Sequence, residues 1–221
     1  MLIDEKINRI KDVLYSVPMN KVTLLTGDNG SGKSLIRKQM FIRVQECFPK
    51  EVTKARLPHV VKSVSMQLRT ESRAEFGALS DIAHDCAWNP TSIETYHLIK
   101  RLFNTAEQED KKCYLIIDEP EIGMSLDSQY SISKYIRKRY EELEDKLYGL
   151  MIITHSEMLV REFSDIAEFK NLDGYDTIEA WMNRQLKLID FEALADESHE
   201  LFSALQGGKY KSESTDKREN S

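Results

Sequence analysis

Three glycines and a lysine-serine pair crowd into the stretch GDNGSGKS, residues 27–34. The chain has only nine glycines in 221 residues, so three of them within six positions need a backbone reason. A loop that wraps its N–H groups closely around phosphates needs glycine, because side chains would obstruct the approach. The lysine would reach the β- and γ-phosphates, the serine would ligate Mg²⁺, and the following helix N-terminus would add to the anion field. The P-loop pattern GxxxxGK[ST] thus predicts a nucleoside triphosphate site at Gly27, Asp28, Asn29, Gly30, Ser31, Gly32, Lys33 and Ser34.

The string CYLIIDEP, residues 113–120, supplies acidic groups directly after an apolar run. Asp118 ends that run and is placed to hold Mg²⁺ through water. Glu119 beside it is placed to act as general base on the attacking water. An acidic pair at a strand end also occurs as an ordinary N-terminal cap of the next helix. Because the pair follows a P-loop in the same chain, we favour the catalytic interpretation.

A third string, MIITHS, ends another apolar run at Thr154 and His155. A histidine at a strand end is more often a packed or solvent-facing residue than a catalytic one. At the carboxyl edge of a parallel sheet, however, such a side chain faces the ligand crevice. We therefore predict that His155 contacts the γ-phosphate.

Short apolar runs alternate with helix-prone stretches along the chain, which favours an α/β fold with a mainly parallel sheet flanked by helices. The strands that carry the three strings are expected at Val22–Thr26, 114–117 and 150–154. Further strands are expected at 59–66 and near residue 169, and helices at 34–48, 131–148, 158–163 and 191–205. We predict one domain over residues 1–206, with a helical subdomain at about 75–106 and a polar, disordered tail at 207–221.

Composition limits the class of protein. The formal net charge of −6 and pI near 5.5 argue against indiscriminate coating of nucleic acid. The segment 35–73 nevertheless holds nine basic and three acidic residues, which leaves open whether it contacts nucleic acid or is a solvated face. Three scattered cysteines without a CxxC pair predict reduced thiols and no zinc site. The absence of a signal sequence or a long apolar run predicts a cytoplasmic protein without a membrane span.

Together, GDNGSGKS, LIIDEPEIG and IITHSEML resemble the motifs of ABC-type ATPases over about residues 13–160. The resemblance is to the soluble branch that includes RecF-like, SMC-like and OLD-like proteins. It implies the ABC ATPase fold, ATP and Mg²⁺ as ligands, and Mg²⁺-dependent ATP hydrolysis coupled to dimerisation, with each nucleotide held between two protomers. The preference for ATP over GTP is likewise implied by the resemblance alone.

The family has further motifs that this sequence matches less well. Ser92 in NPTSIET, which has no glycine, corresponds to the signature serine, although Thr91 and Glu94 also fit an ordinary capping box. Gln67 corresponds to the glutamine that contacts Mg²⁺ and couples to partners. The polar residue of the loop after the acidic pair is Ser125 by counting and Asp127 by the string SLD, and the sequence leaves both open.

The separation of residues 34 and 118 leaves no room for a long coiled-coil arm, so the work is expected to be done through a partner. We predict an ATP-dependent homo- or heterodimeric switch that presents a surface to an effector, in DNA processing or mobile-element defence. The ATPase subunit of a membrane transporter and a nucleotide-binding module with decayed hydrolysis are the alternatives. The transporter alternative predicts a glycine-rich signature, which is not evident.

Overall fold

The computed structural model describes residues 3–47, 61–65 and 91–185, together with 188, 190, 192–196 and 199–200. Its helices are α1 (Ile3–Ser16), α2 (Lys33–Cys47), α3 (Thr91–Gln108), α4 (Leu126–Leu143), α5 (Glu157–Phe163) and α6 (Ile178–Met182). Its strands are β1 (Val22–Thr26), β2 (Val61–Ser65), β3 (Cys113–Asp118), β4 (Leu147–Ile153) and β5 (Ala167–Asn171).

The strands form one parallel sheet in the order β2-β3-β4-β1-β5. The predicted α/β fold with a mainly parallel sheet flanked by helices is therefore confirmed. Strand β4 lies between β1 and β3 and pairs with both, with Leu25 opposite Ile153 and Asp118 opposite Ile153. Because parallel strands end at a common edge, the segments that follow β1, β3 and β4 meet there.

Both faces of the sheet are buried, which explains why its central strands are continuous apolar runs. Alternate residues such as Leu24, Leu115 and Ile152 pack with α3, α4 and α5 on one face. Their neighbours, such as Ile116 and Met151, pack with α1 and α2 on the other face. The two-residue period of the strands thus divides one apolar run between two separate cores.

The main differences from the predicted boundaries lie around α4 and β4. The helix expected over 131–148 begins at Leu126 and ends at Leu143, and Glu144–Lys146 form a 3₁₀ turn. Strand β4 then starts at Leu147, where it pairs with Cys113, so strand pairing overrides the helix propensity of the preceding charged residues. Helix α1, which the sequence prediction missed, is amphipathic and buries Ile10 and Val13, and Val17 directly after it is also buried.

Several predictions fall wholly or partly outside the described residues. They concern Gln67, residues 75–90 of the helical subdomain, much of the helix at 191–205 and the tail at 207–221. The described part of the subdomain is α3, which packs Ile99, Leu102 and Phe103 into the core of the main sheet. The subdomain and the 1–206 domain boundary stay predictions.

Candidate functional site

The loop 27–34 joins β1 to α2 at the carboxyl edge of the sheet. Gly30 and Gly32 have φ values of 75° and 104°, in the left-handed region that favours glycine. A Cβ atom on Gly32 would lie 2.5 Å from Cδ1 of Ile10, and one on Gly27 would lie 2.5 Å from Oγ of Ser31. The glycines therefore allow both the turn of the loop and its close packing against α1.

Lys33 is buried inside this loop. Its Nζ atom donates hydrogen bonds to the carbonyl oxygens of Gly27, at 2.7 Å, and Asp28, at 2.9 Å. It also lies 3.9 Å from Oε1 of Glu119. Burial lowers the pKa of Lys33, and the nearby carboxylates, Glu119 first, oppose that shift. The ammonium group thus sits between the loop and the acidic segment after β3.

Asp118 ends β3 and Glu119 follows it at the same edge, and both residues are buried. Glu119 has a φ of 49°, and its backbone N–H donates to the carbonyl oxygen of Ile153 at 2.8 Å. This left-handed conformation in a residue other than glycine is uncommon and turns the chain sharply after the strand. The turn places the two acidic side chains beside β4 and the loop 27–34.

His155 follows β4 and brings the third string into the group. Its Nε2 atom lies 3.2 Å from Oε1 of Glu119, in a contact whose orientation is not that of a hydrogen bond. The Nε2 atom is buried, while the side chain as a whole is 37% exposed. The preceding residue, Thr154, donates its N–H to Leu25 of β1 at 3.0 Å. The structure therefore brings Lys33, Glu119 and His155 together from three separate parts of the sequence.

Glu121 belongs to this group and was missed in the sequence. Its buried carboxylate accepts a hydrogen bond from the backbone N–H of His155 at 2.5 Å. Burial raises the pKa of Glu121, and the hydrogen bond from His155 acts in the opposite direction. The only signal in the sequence is a third acidic residue two positions after the Asp118-Glu119 pair.

The last residue of β5 and the segment that follows it fasten the start of the loop 27–34. Oδ2 of Asp173 accepts the backbone N–H of Asp28 at 2.7 Å, and Nδ2 of Asn171 donates to Oγ1 of Thr26 at 3.0 Å. The sequence analysis predicted a strand near residue 169 but no role for either side chain. The polar run NLDG after that strand is typical of a side-chain-stabilised turn and was the available signal.

Ser92 lies elsewhere on the chain, in the first turn of α3. It lines a groove of about 610 Å³ between α3 and α4, together with Tyr96, Met124, Asp127 and Tyr135. None of Lys33, Asp118, Glu119 and His155 is among the lining residues. Within one chain, Ser92 is therefore not part of the group around Lys33.

The two alternatives for the loop after the acidic pair occupy different positions. Ser125 is the N-cap of α4 and accepts the N–H of Ser128. Asp127 is exposed in the first turn of that helix and lines the groove with Ser92. Gly123, just before them, has a φ of 72°, and a Cβ atom there would lie 2.9 Å from Cγ2 of Thr91. The segment after β3 thus packs directly against the start of α3.

A hydrogen-bonded chain connects this segment to the one that carries His155. Oγ of Ser156 donates to Oε1 of Gln129 on α4 at 2.8 Å, and Nε2 of Gln129 donates to the carbonyl oxygen of Met124 at 3.2 Å. These bonds link the segment before α4 to the residue next to His155.

The oxygen donors at this edge fit Mg²⁺, which prefers hydroxyl, carboxylate, phosphate and water oxygens. Ser34 and Asp118 would be the protein donors to such an ion. The described residues contain no group of three or more His, Cys, Asp or Glu side chains that could hold a metal by themselves. A magnesium ion would accordingly need phosphate and water oxygens in addition to these two residues.

Comparisons with known proteins add little to this description. No protein-family model and no curated protein matches the chain. Among solved structures, the structure of PCH-2 from C. elegans matches at 15% identity and a TM-score of 0.37, covering 77% of this chain. The matched part spans 40% of the PCH-2 chain. A likeness this distant carries no argument about function.

None of the helices in the described ranges has the length and apolar character needed to cross a membrane.

Proposed function

We propose that this chain is a Mg²⁺-dependent ATPase of the P-loop class, and within that class an ABC-type one. The observation that carries the proposal is the meeting of three side chains at one edge of the sheet. Nζ of Lys33 lies 3.9 Å from the Glu119 carboxylate, which lies 3.2 Å from Nε2 of His155. A phosphate-binding cation and a carboxylate placed to act as base are recurring parts of phosphoryl transfer to water, and a histidine beside that carboxylate can orient it.

Each residue has a distinct role in this proposal. Lys33 exchanges its hydrogen bonds to Gly27 and Asp28 for contacts with the phosphates, while Ser34 and Asp118 hold Mg²⁺. The bound ion neutralises charge on the phosphates. Glu119 accepts the proton of the attacking water. His155, beside Glu119, orients that carboxylate and contacts the terminal phosphate.

The ABC-type interpretation adds a nucleotide-dependent dimer to this chemistry. Ser92 and Asp127 line a groove separate from the group around Lys33, so a second protomer would be needed to bring them to a nucleotide. Ile93, Leu126 and Tyr130 are exposed apolar residues beside that groove, and Leu126 is 67% exposed. Such a patch supports a surface for a partner copy or an effector protein.

A role for the basic segment 35–73 in binding nucleic acid receives less support. The guanidinium of Arg43 donates to the backbone carbonyl oxygens of Leu14 and Tyr15. Arg37 lies 3.4 Å from Asp118. Two of the nine basic side chains are thus engaged inside the chain, which leaves less of the positive charge for phosphates of DNA or RNA.

The decisive experiment measures ATP turnover and molecular mass together, on the wild type and on Glu119→Gln, with and without Mg-ATP. We expect the wild type to hydrolyse ATP and the variant to bind ATP, lose turnover by at least about 100-fold and accumulate as a dimer. Glu179→Gln, at an exposed position on α6, is the matched control and should behave as wild type.

Two other outcomes would contradict the proposal at different levels. If wild type and variant both bind ATP but stay monomeric without turnover, the homodimeric switch is wrong and a different partner must complete the site. If the wild type fails to bind ATP at any Mg²⁺ concentration, the assignment to the P-loop ATPases is wrong.

A further inference from the structure

Arg37 has no role in the proposed function, yet it lies against one of its central residues. It stands on α2, one turn after Ser34, and its side chain is only 11% exposed. Its Nε atom is 3.4 Å from Oδ2 of Asp118, whose side chain is 2% exposed. The Nε atom is itself buried and has no hydrogen-bond partner within the described residues. The guanidinium therefore faces the buried carboxylate of Asp118. Its Nε–H has no better-aligned acceptor among the described residues.

A buried carboxylate is costly unless a positive group lies nearby. Arginine keeps its charge at any ordinary pH, so Arg37 can neutralise Asp118 without titrating. Asp118 is also the carboxylate expected to hold Mg²⁺. A guanidinium and a divalent cation repel each other and compete for the same oxygens, so the presence of one weakens the binding of the other.

We propose that Arg37 is the counter-ion of Asp118 in the nucleotide-free chain, and that it weakens Mg²⁺ binding until a triphosphate supplies compensating negative charge. The inference rests on the proposed function, because Mg²⁺ enters this site together with nucleotide. Arg37 would thereby ensure that the metal arrives with its substrate rather than alone.

The first test compares Arg37→Met with Lys38→Met. Methionine keeps much of the arginine stem and removes its charge, while Lys38 is the adjacent, exposed position on the same helix. We measure melting temperature without ligand, and ATP binding across a Mg²⁺ series that includes EDTA. The Arg37→Met chain should melt at a lower temperature than wild type without ligand. It should reach half-maximal Mg²⁺-dependent ATP binding at about tenfold less Mg²⁺. Lys38→Met should match wild type in both measurements.

The second test removes both charges and needs no nucleotide. Asp118→Asn combined with Arg37→Met should melt at a higher temperature than Arg37→Met alone, because the buried carboxylate that Arg37 neutralises is then removed as well. This comparison still answers the question if Arg37→Met alone does not fold. A double variant that melts no higher than the single variant, or that also fails to fold, would overturn the proposal.

The Mg²⁺ series has its own contrary results. An unchanged Mg²⁺ requirement in Arg37→Met would overturn the proposal. Weaker ATP binding in EDTA together with a higher Mg²⁺ requirement would also overturn it, because Arg37 would then be a phosphate ligand. A wild type that binds no ATP would refute the proposed function, whereas the nucleotide-free double-variant comparison would still decide whether Arg37 and Asp118 are a pair.

Discussion

The carboxylate of Glu121 holds the main chain of His155 by accepting its backbone N–H at 2.5 Å. This bond fixes the main chain at the second residue after β4, which ends at Ile153. The imidazole that lies beside Glu119 is thus oriented from its own backbone. Glu121 acts on the site as a positioning residue in this arrangement, through His155.

Replacing Glu121 with alanine should lower both stability and ATP turnover. The N–H of His155 would lose its acceptor, at a cost of about 1–3 kcal/mol. We expect kcat to fall by about tenfold or more while KM for ATP changes little, because the loop 27–34 is untouched.

Glu121→Gln is the matched control for this prediction. Glutamine retains an oxygen that can accept the N–H of His155, so kcat should recover towards the wild-type value. Equal loss of kcat in both variants would show that the charge of Glu121, and not its hydrogen bonds, is required.

The second prediction concerns Gly32 and Ile10. Alanine at Gly32 would need a φ of 104° and would put its Cβ atom 2.5 Å from Cδ1 of Ile10. The backbone strain alone costs about 1–3 kcal/mol, and displacement of the loop should abolish ATP binding. Thermal melting and ATP titration of Gly32→Ala measure the two effects.

Combining Gly32→Ala with Ile10→Ala separates the contact from the backbone strain. Removing the Ile10 side chain relieves the clash but leaves the unfavourable φ. The two substitutions should therefore destabilise the chain by less than the sum of their separate effects. Full additivity would mean that Ile10 does not contact residue 32.

The third prediction is a pH dependence that originates at Asp173. Burial, and then the neighbouring Asp28, raise the pKa of the Asp173 carboxyl above its ordinary value. A carboxyl group with a raised folded-state pKa binds its proton more tightly in the folded chain. The stability that this tighter proton binding contributes is fully present at pH values below the pKa of the group in the unfolded chain. It is lost as the pH rises through the pKa of the group in the folded chain.

Asp173→Asn should therefore raise the melting temperature at pH 7, by roughly 2–4 °C, and by less as the pH falls towards about 4. Asparagine keeps an oxygen that can accept the N–H of Asp28. Melting curves of wild type, Asp173→Asn and the exposed control Asp110→Asn across this range test the prediction. A lower melting temperature for Asp173→Asn at pH 7 would mean that the charged carboxylate is stabilising.

The sequence predicted the strands around the site well because they are buried on both faces. The runs VTLLT and CYLIID are mainly apolar and buried at every position, and in parallel sheets such runs are strands. Once those strands are adjacent, their carboxyl ends must meet, so Lys33 and Glu119 could be expected near each other. The pattern was specific enough to predict the placement of these side chains.

The remaining parts of the site depend on contacts between distant segments. The carboxylate of Asp173 accepts a hydrogen bond from the backbone of Asp28, which lies 145 positions away in the sequence. No sequence pattern around either residue indicates this contact. Arg37 lies among basic residues of a helix, where sequence alone suggests a solvated charge, yet the fold turns it towards Asp118. The end of α4 at Leu143 was missed because the residues after it also have high helix propensity. In the fold, pairing of β4 with β3 from Leu147 onwards ends the helix earlier.

The position of β4 between β1 and β3 fixes the distance between those two outer strands. Because neighbouring strands lie a fixed spacing apart, two steps across the sheet separate β1, which precedes the loop 27–34, from β3, which ends at Asp118, by roughly 9–10 Å. The N–H of Thr154 donates a hydrogen bond to the carbonyl oxygen of Leu25 on one side, and the carbonyl oxygen of Ile153 accepts the N–H of Glu119 on the other. The separation between β1 and β3 therefore cannot change at this edge without breaking main-chain hydrogen bonds. The intervening strand therefore serves as a rigid spacer, and a change in the width of the proposed site would have to come from the segments beyond the strand ends.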